Sequence, residues 1–319
     1  MSRIKKYKER IERSIHYRNF IDFLKNTHIT GNRVPLWNFG KIFWKKLVND
    51  EISMMAYGVA FNFTFAIFPS LIFMFTVIPY IPIENLNVKI LDFLQEVVPG
   101  KIYNNAEGTI NDIVSKPRGG LLSFGFFFAL FLATNGMDAL IAAFNACYKT
   151  KETRNYIYRR WISLILTVVL ALILFFAIAI LIIGRFALDT MVEWQILQTD
   201  TTYYLLYILK YLVIGLIFLL GVSVIYYWAP SIHKRWRFFS YGAILATVLC
   251  ILVSLAYTYY FNHFASYNRL YGSIGAMIGL MLWLYFISFI LLFGFELNAS
   301  LEKSQILQQK LRHRKRNNR

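Results

Sequence analysis

Charge is scarce in this chain: Asp, Glu, Lys and Arg together make up 16% of its 319 residues. A soluble domain carries about a quarter, so there is too little polar material to cover a water-facing surface. Acidic residues are the scarcer sign, 17 against 34 Lys and Arg. Cysteine is also rare. Cys147 and Cys250 form no CxxC pair and no Cys/His cluster, which argues against a disulfide framework and a thiolate metal site. The histidines, His16, His28, His233, His263 and His313, are scattered and never at metal-ligand spacing. No P-loop, GxSxG or HExxH occurs, and no water-exposed domain offers the clustered carboxylates that a metal-dependent nuclease or phosphatase uses. The expectation is a protein that is not an enzyme and needs neither metal nor cofactor.

Apolar runs are abundant: 57% of the residues are hydrophobic, and they come in blocks. Six blocks, at approximately 54–80, 120–147, 161–186, 203–229, 239–264 and 273–299, each reach the ~20 residues that cross ~30 Å of hydrocarbon at ~1.5 Å per residue. The predicted fold is all-α and polytopic, with about six transmembrane helices. The net charge of +17 would fit nucleic acid as a partner, but most basic residues flank the apolar blocks. There they orient the chain and meet anionic headgroups. The expected partners are membrane lipids, not nucleic acid, with a homo-oligomer or an envelope partner left open.

The flanking charges give the topology. With the N-terminus inside, 27 Lys and Arg fall in inner segments and six, Lys89, Lys101, Lys116, Arg118, Arg185 and Arg269, fall outside; Lys210 is the remaining one of the 34. Every loop then obeys the positive-inside rule, and both termini are expected on the cytoplasmic side. Residues 1–50 are too polar for a cleavable signal peptide, so the first span is expected to serve as an uncleaved anchor.

The chain divides into a basic N-terminal region at 1–50, a transmembrane domain at 51–301 and a basic tail at 302–319 that reads as disordered. Within 1–50, Leu36, Phe39, Phe43 and Leu47 recur at helical spacing, with Trp37 and Trp44 suited to the headgroup layer. The stretch 35–48 reads as a helix lying in the membrane interface or packed on the protein's own inner face, with equal weight. The long outer segment 83–117 has two amphipathic patterns broken at Pro99-Gly100 and reads as a helical hairpin on the outer face.

Ionisable residues inside membrane helices point to function because they are expensive there. Asp138 lies ~27 Å along the second span from Gly120, near the inner boundary. Asn135 and Asn145 share its face, and such a stripe should face the bundle interior. Glu296 and Asn298 could approach it from the sixth span and Asn62 from the first. The group reads either as a substrate or ion site opening inward, or as hydrogen bonds and pairs with Arg159, Arg160 or Arg235 that hold the bundle together. Lys210, only ~10 Å deep from the outside, is expected to snorkel outward. Pro69, inside the first span, should kink it. The stretch Gly272 to Gly279 presents a small-residue face suited to close helix packing.

Several pieces taken together resemble the YihY/BrkB family of bacterial inner-membrane proteins across 40–302. They are Ala56-Tyr57 with Phe68-Pro69-Ser70, Gly119-Gly120-Leu121-Leu122, Asn135 to Asp138 with Asn145 and Tyr148, and Arg154 with Arg159-Arg160-Trp161. Tyr227 and Pro230, Lys234-Arg235-Trp236, Gly242, Tyr267-Asn268 with Tyr271-Gly272-Ser273, and Gly294 to Ala299 follow in order. The resemblance implies a six-helix membrane fold in the bacterial inner membrane. It also implies an association with virulence or serum resistance and a suggested role as an envelope transporter of lipid-like molecules. The ribonuclease label that some members carry finds no support in these residues. The expected function is a transporter or flippase-like protein of unknown substrate; the alternative is a non-transporting scaffold for envelope assembly, and a ribonuclease comes last.

Overall fold

A computed structural model describes residues 35–49, 51–81, 116–148, 150, 152–194, 199–232, 236–263 and 273–317, with 22, 23, 27, 108, 111 and 112. The chain forms a short helix α1 (Leu36–Asn49) followed by six long ones. These are α2 (Ile52–Val77, closed by a 3-10 turn at Ile78–Tyr80), α3 (Gly119–Tyr148), α4 (Tyr156–Glu193), α5 (Thr199–Trp228), α6 (Tyr241–His263) and α7 (Ser273–Asn317). Each of the six contains a stretch long and apolar enough to span a membrane, as the hydropathy blocks predict. Helices are what such blocks must form, because lipid offers the backbone no hydrogen bonds and only a helix or a closed barrel satisfies it internally.

The six helices pack in a closed ring in chain order, with α7 returning to α2, and α3 also touches α7 across the ring. Large apolar side chains point outward all round. Phe61, Met74, Phe127, Phe175, Ile183 and Tyr204 are each more than half exposed. In water such a surface would aggregate; in lipid it is the solvated face. The predicted outer hairpin at 83–117 lies almost wholly outside the described residues.

Many of the fully buried large side chains lie near the basic end of the bundle, where α1, the C-terminal end of α3 and the N-terminal end of α6 meet the second half of α7. Phe144 of α3 stacks on Phe295 of α7 at 4.4 Å between ring centroids, and Tyr226 of α5 sits edge-on to both. The Tyr226 hydroxyl donates to the Leu291 carbonyl at 2.6 Å, which satisfies its polar end inside the core. Glycine makes this approach feasible. A Cβ on Gly242 would stand 2.1 Å from the Gly294 carbonyl oxygen, and one on Gly294 would stand 2.6 Å from the Tyr226 hydroxyl. The α6–α7 crossing is therefore a small-residue contact of the kind membrane helices use in place of a hydrophobic driving force.

Two elements differ from or refine the sequence reading. The basic tail expected to be disordered is helical, since α7 continues to Asn317. The stretch after Leu301 is rich in Arg, Lys, Gln and Leu, all strong helix formers, and extending a nucleated helix adds a hydrogen bond per residue fixed. Helix α1 matches the predicted 35–48 segment. It packs against α7 through Phe43, edge-on to Phe293 at 5.2 Å, and leaves Trp44, 70% exposed, on its outer side. The helix α2 runs unbroken through the buried Pro69.

The glycine contact yields a direct test. Gly242→Ala should lower the melting temperature of the detergent-solubilised protein, with about 1–3 kcal/mol of overpacking. Gly215→Ala, where a Cβ meets nothing within 4 Å, should leave it unchanged or slightly raised.

Candidate functional site: a polar clasp at the basic end

The two intramembrane carboxylates selected by depth both carry a cationic partner. Glu296 is fully buried on α7, and the Lys46 ammonium lies 2.7 Å from its Oε1. The Ser300 hydroxyl, one turn on, donates to the same oxygen at 2.9 Å. Lys46 comes from α1, outside the six-helix ring, and its side chain is only 11% exposed. Its Nζ also donates to the Cys147 carbonyl at 3.4 Å, in the last turn of α3. Carbonyls there lack an intrahelical donor, and the helix dipole favours a cation beside them. One ammonium thus joins α1, α3 and α7. A turn at Glu51, whose φ of 46° is left-handed, connects α1 to α2; a non-glycine residue holds that conformation at a cost.

Asp138 on α3 is bidentate to Arg159 on α4. Arg159 Nε donates to Oδ1 at 2.7 Å and Nη2 donates to Oδ2 at 2.9 Å. The fork matches a carboxylate's geometry, which lysine could not do. Ser163 adds a long 3.4 Å bond to Oδ1, and the Arg159 guanidinium lies 5.9 Å from the centre of the Tyr156 ring.

Asn145 makes a third tie, seven residues further along α3. Its amide donates to Glu152 Oε2 at 2.6 Å, and its carbonyl oxygen accepts the Ser231 backbone N–H at 2.8 Å. Glu152 in turn accepts from Arg154 Nε at 2.7 Å and Nη2 at 2.9 Å. Arg154 Nη2 also donates to the Ala229 carbonyl just past the end of α5, at 3.0 Å. This network fastens the α3–α4 loop to the α5–α6 loop. The Arg154 hydrogen bonds hold the Glu152 carboxyl below its ordinary range, against the opposing effect of burial.

Asn298 makes the fourth tie. Its Oδ1 accepts the Gly242 N–H at 2.8 Å and its Nδ2 donates to the Ser240 hydroxyl at 2.8 Å. Ser240 itself accepts the Ala243 N–H at 3.2 Å. Asn298 and Ser240 therefore cap two of the N–H groups that the start of α6 leaves without helical partners.

Of the six polar residues singled out from the sequence, Asp138, Asn145, Glu296, Asn298 and Asn62 thus each engage a different partner instead of converging on one pocket. Asn62 bonds its own helix, donating to the Gly58 carbonyl at 2.8 Å, and Asn135 is half-buried. Lys210 is exposed. Four participants escaped the sequence reading as site residues: Lys46, Glu152, Arg154 and Glu302. Glu302 accepts both the Tyr148 hydroxyl and the Trp236 indole N–H at 2.9 Å. Tyr148, Trp236 and Arg154 belong to the stretches that carry the family resemblance, which was the available signal. Among the described residues, no group of three or more His, Cys, Asp or Glu could hold a metal ion.

Comparison with known proteins gives the clasp a family context. The family model described as virulence factor BrkB matches residues 43–319. The ribonuclease-like protein YfkH of Bacillus subtilis is 32% identical over 249 residues, covering 78% of this chain and 90% of that protein. A UPF0761 membrane protein of Tolumonas auensis is 26% identical over 286 residues, 87% of this chain and 89% of its own length. One from Stenotrophomonas maltophilia is 25% identical over 275 residues, which is 62% of that longer protein. No solved structure matches.

Two outcomes test the clasp. Lys46→Met or Glu296→Gln alone should destabilise by about 3–5 kcal/mol, because each leaves a buried charge or its site without compensation. Lys46→Met combined with Glu296→Met should recover most of that loss, since an apolar pair in place of a buried ion pair is often neutral; a thermal-melt double-mutant cycle reads both. The second outcome concerns pH. Because the folded Glu152 carboxyl sits low, its contribution is present above the ordinary carboxylate range and is lost as pH falls through the folded value. Acid melts of wild type should therefore steepen there, and Glu152→Gln should flatten that part of the profile.

Proposed function

The chain belongs to the virulence factor BrkB family of multi-pass membrane proteins, and from that premise we propose that it moves a lipid-like envelope molecule across the bacterial inner membrane. In this reading it is a transporter or flippase-like protein, with its basic end and both termini in the cytoplasm and its cytoplasmic side closed in this conformation. The observation that carries the reading is the Lys46–Glu296 pair. A static join between helices is as well made from apolar side chains, since burying two charges costs desolvation that their attraction only roughly repays. A switch is the best-attested use of such a pair. Here one partner sits on a helix outside the ring, so the two can separate before any of the six spans has to move. Asp138–Arg159 and the Asn145–Glu152–Arg154 network are the further ties that opening would rearrange.

A second reading, a non-transporting scaffold for envelope assembly, is favoured by a specific observation as well. Asp138, Asn145, Glu296 and Asn298 each bind a partner on another element, as a rigid platform would require. The word ribonuclease in the name of the Bacillus relative stays with that protein. A basic surface gives nucleic-acid affinity without chemistry.

Lipid translocation in proteoliposomes separates the readings. Vesicles of phosphatidylethanolamine and phosphatidylglycerol with a fluorescent phospholipid should lose inner-leaflet label to external dithionite faster than protein-free vesicles. Lys46→Glu should change that rate and Lys46→Glu with Glu296→Lys should bring it back. Equal rates with and without the wild-type protein, together with a stoichiometric copurifying envelope protein, would support the scaffold instead.

A further inference from the structure

The lipid-facing side of α3 and α4 carries a groove of about 350 Å³, near the lower limit for a small-molecule site. One wall is the α3 stripe Phe127, Leu130, Phe131 and Thr134; the other runs along α4 from Tyr156 to Leu164. It opens outward: Phe127 is 67% exposed and Ile157 is 63% exposed. The lining is almost wholly apolar with one cation, Arg160. The Arg160 guanidinium lies 4.9 Å from the centre of the Phe131 ring, and its Nη2 makes a long 3.5 Å contact with the Phe131 carbonyl.

The neighbouring arginines are placed differently. Arg159 points into the α3–α4 seam and takes Asp138. Arg160 turns to the outer side, and among the described residues it forms no ion pair. A guanidinium on the lipid-facing side of a span is costly without a counter-charge, and the described residues supply none there. We propose that the groove binds an anionic phospholipid of the leaflet at the basic end, with the lipid phosphate on Arg160 and one acyl chain along Phe127, Leu130 and Leu164. The guanidinium fork matches a phosphate's oxygens. Tyr156 and Trp161 beside it have the amphipathic rings that sit at headgroup level. The volume fits part of one acyl chain, so the second chain stays in the surrounding bilayer. This binding does not depend on the transport reading, because it rests only on the groove and the placement of Arg160.

The test is lipid retention by native mass spectrometry. Full-length protein is taken from nanodiscs of equal phosphatidylglycerol and phosphatidylcholine. Wild type should keep phosphatidylglycerol several-fold over phosphatidylcholine, and a photoactivatable phosphatidylglycerol should crosslink chiefly to 127–134 and 156–164. Arg160→Gln should remove the preference for phosphatidylglycerol. Leu164→Phe, which fills the groove and leaves the charge, should reduce retention and crosslinking there even if Arg160→Gln fails to fold. Equal retention of the two lipids by wild type, crosslinks spread evenly round the bundle, or an unchanged preference in well-folded Arg160→Gln would each overturn the assignment.

Discussion

An ammonium buried against a carboxylate at the end of a membrane bundle is the interaction on which the other contacts of this molecule lean. Glu296 has no access to solvent, so its charge requires a cation close by, and the six apolar spans have little to give. Lys46 supplies it from α1. That requirement places α1 against α7, brings a cation to the last turn of α3 through the Cys147 carbonyl, and sets Phe43 against Phe293. A helix that could have floated in the interface becomes part of the basic end of the bundle. The exposed side of α1, with Trp44 and two further lysines, still suits the headgroup layer.

Around that pair the bundle is built in two ways. Over most of their length the spans meet through apolar side chains and present apolar side chains to lipid, so packing alone has to specify the contacts. At the basic end the contacts are polar and directional: the Arg159 fork on Asp138, the Asn145 network between loops, and the Asn298 cap on α6. The glycines at 242 and 294 allow the last of these, because the Asn298 amide reaches the Gly242 N–H only where the two backbones nearly touch. The aromatic stack of Phe144, Phe295 and Tyr226 lies beside these ties in sequence and in space. Glu296 and Asn298 therefore flank Phe295 in that core.

Much of this was legible from the residues, for physical reasons that differ by level. Six spans follow from block length and composition, because lipid leaves the backbone no alternative to helix, and the blocks match the observed helices to within a few residues at most ends. Asp138 could be selected from its depth, and Arg159 stood beside Arg160 and Arg235 among its candidate partners. Lys46 was not legible as the partner of Glu296. The two lie 250 positions apart, and no periodicity in either helix encodes a contact between them. The Gly242–Gly294 crossing is hidden for the same reason, whereas the small-residue run at 272–279 is conspicuous in the sequence. Asn62 looked like a contributor to the polar group, yet its amide is satisfied within its own turn. The charge of the tail after Leu301 suggests disorder, but its helix-forming composition weighs more once α7 has been nucleated.

The central claim is that the Lys46–Glu296 pair holds α1 to the bundle. Hydrogen–deuterium exchange of residues 36–49 in the reconstituted protein tests it most directly. The account predicts protected amides in wild type and exchange roughly a hundredfold faster in Glu296→Gln, the equivalent of about 3 kcal/mol of lost docking, with α5 residues 219–228 unchanged. Equal exchange of α1 in wild type and Glu296→Gln would contradict it, and would mean that α1 is held by its apolar face alone.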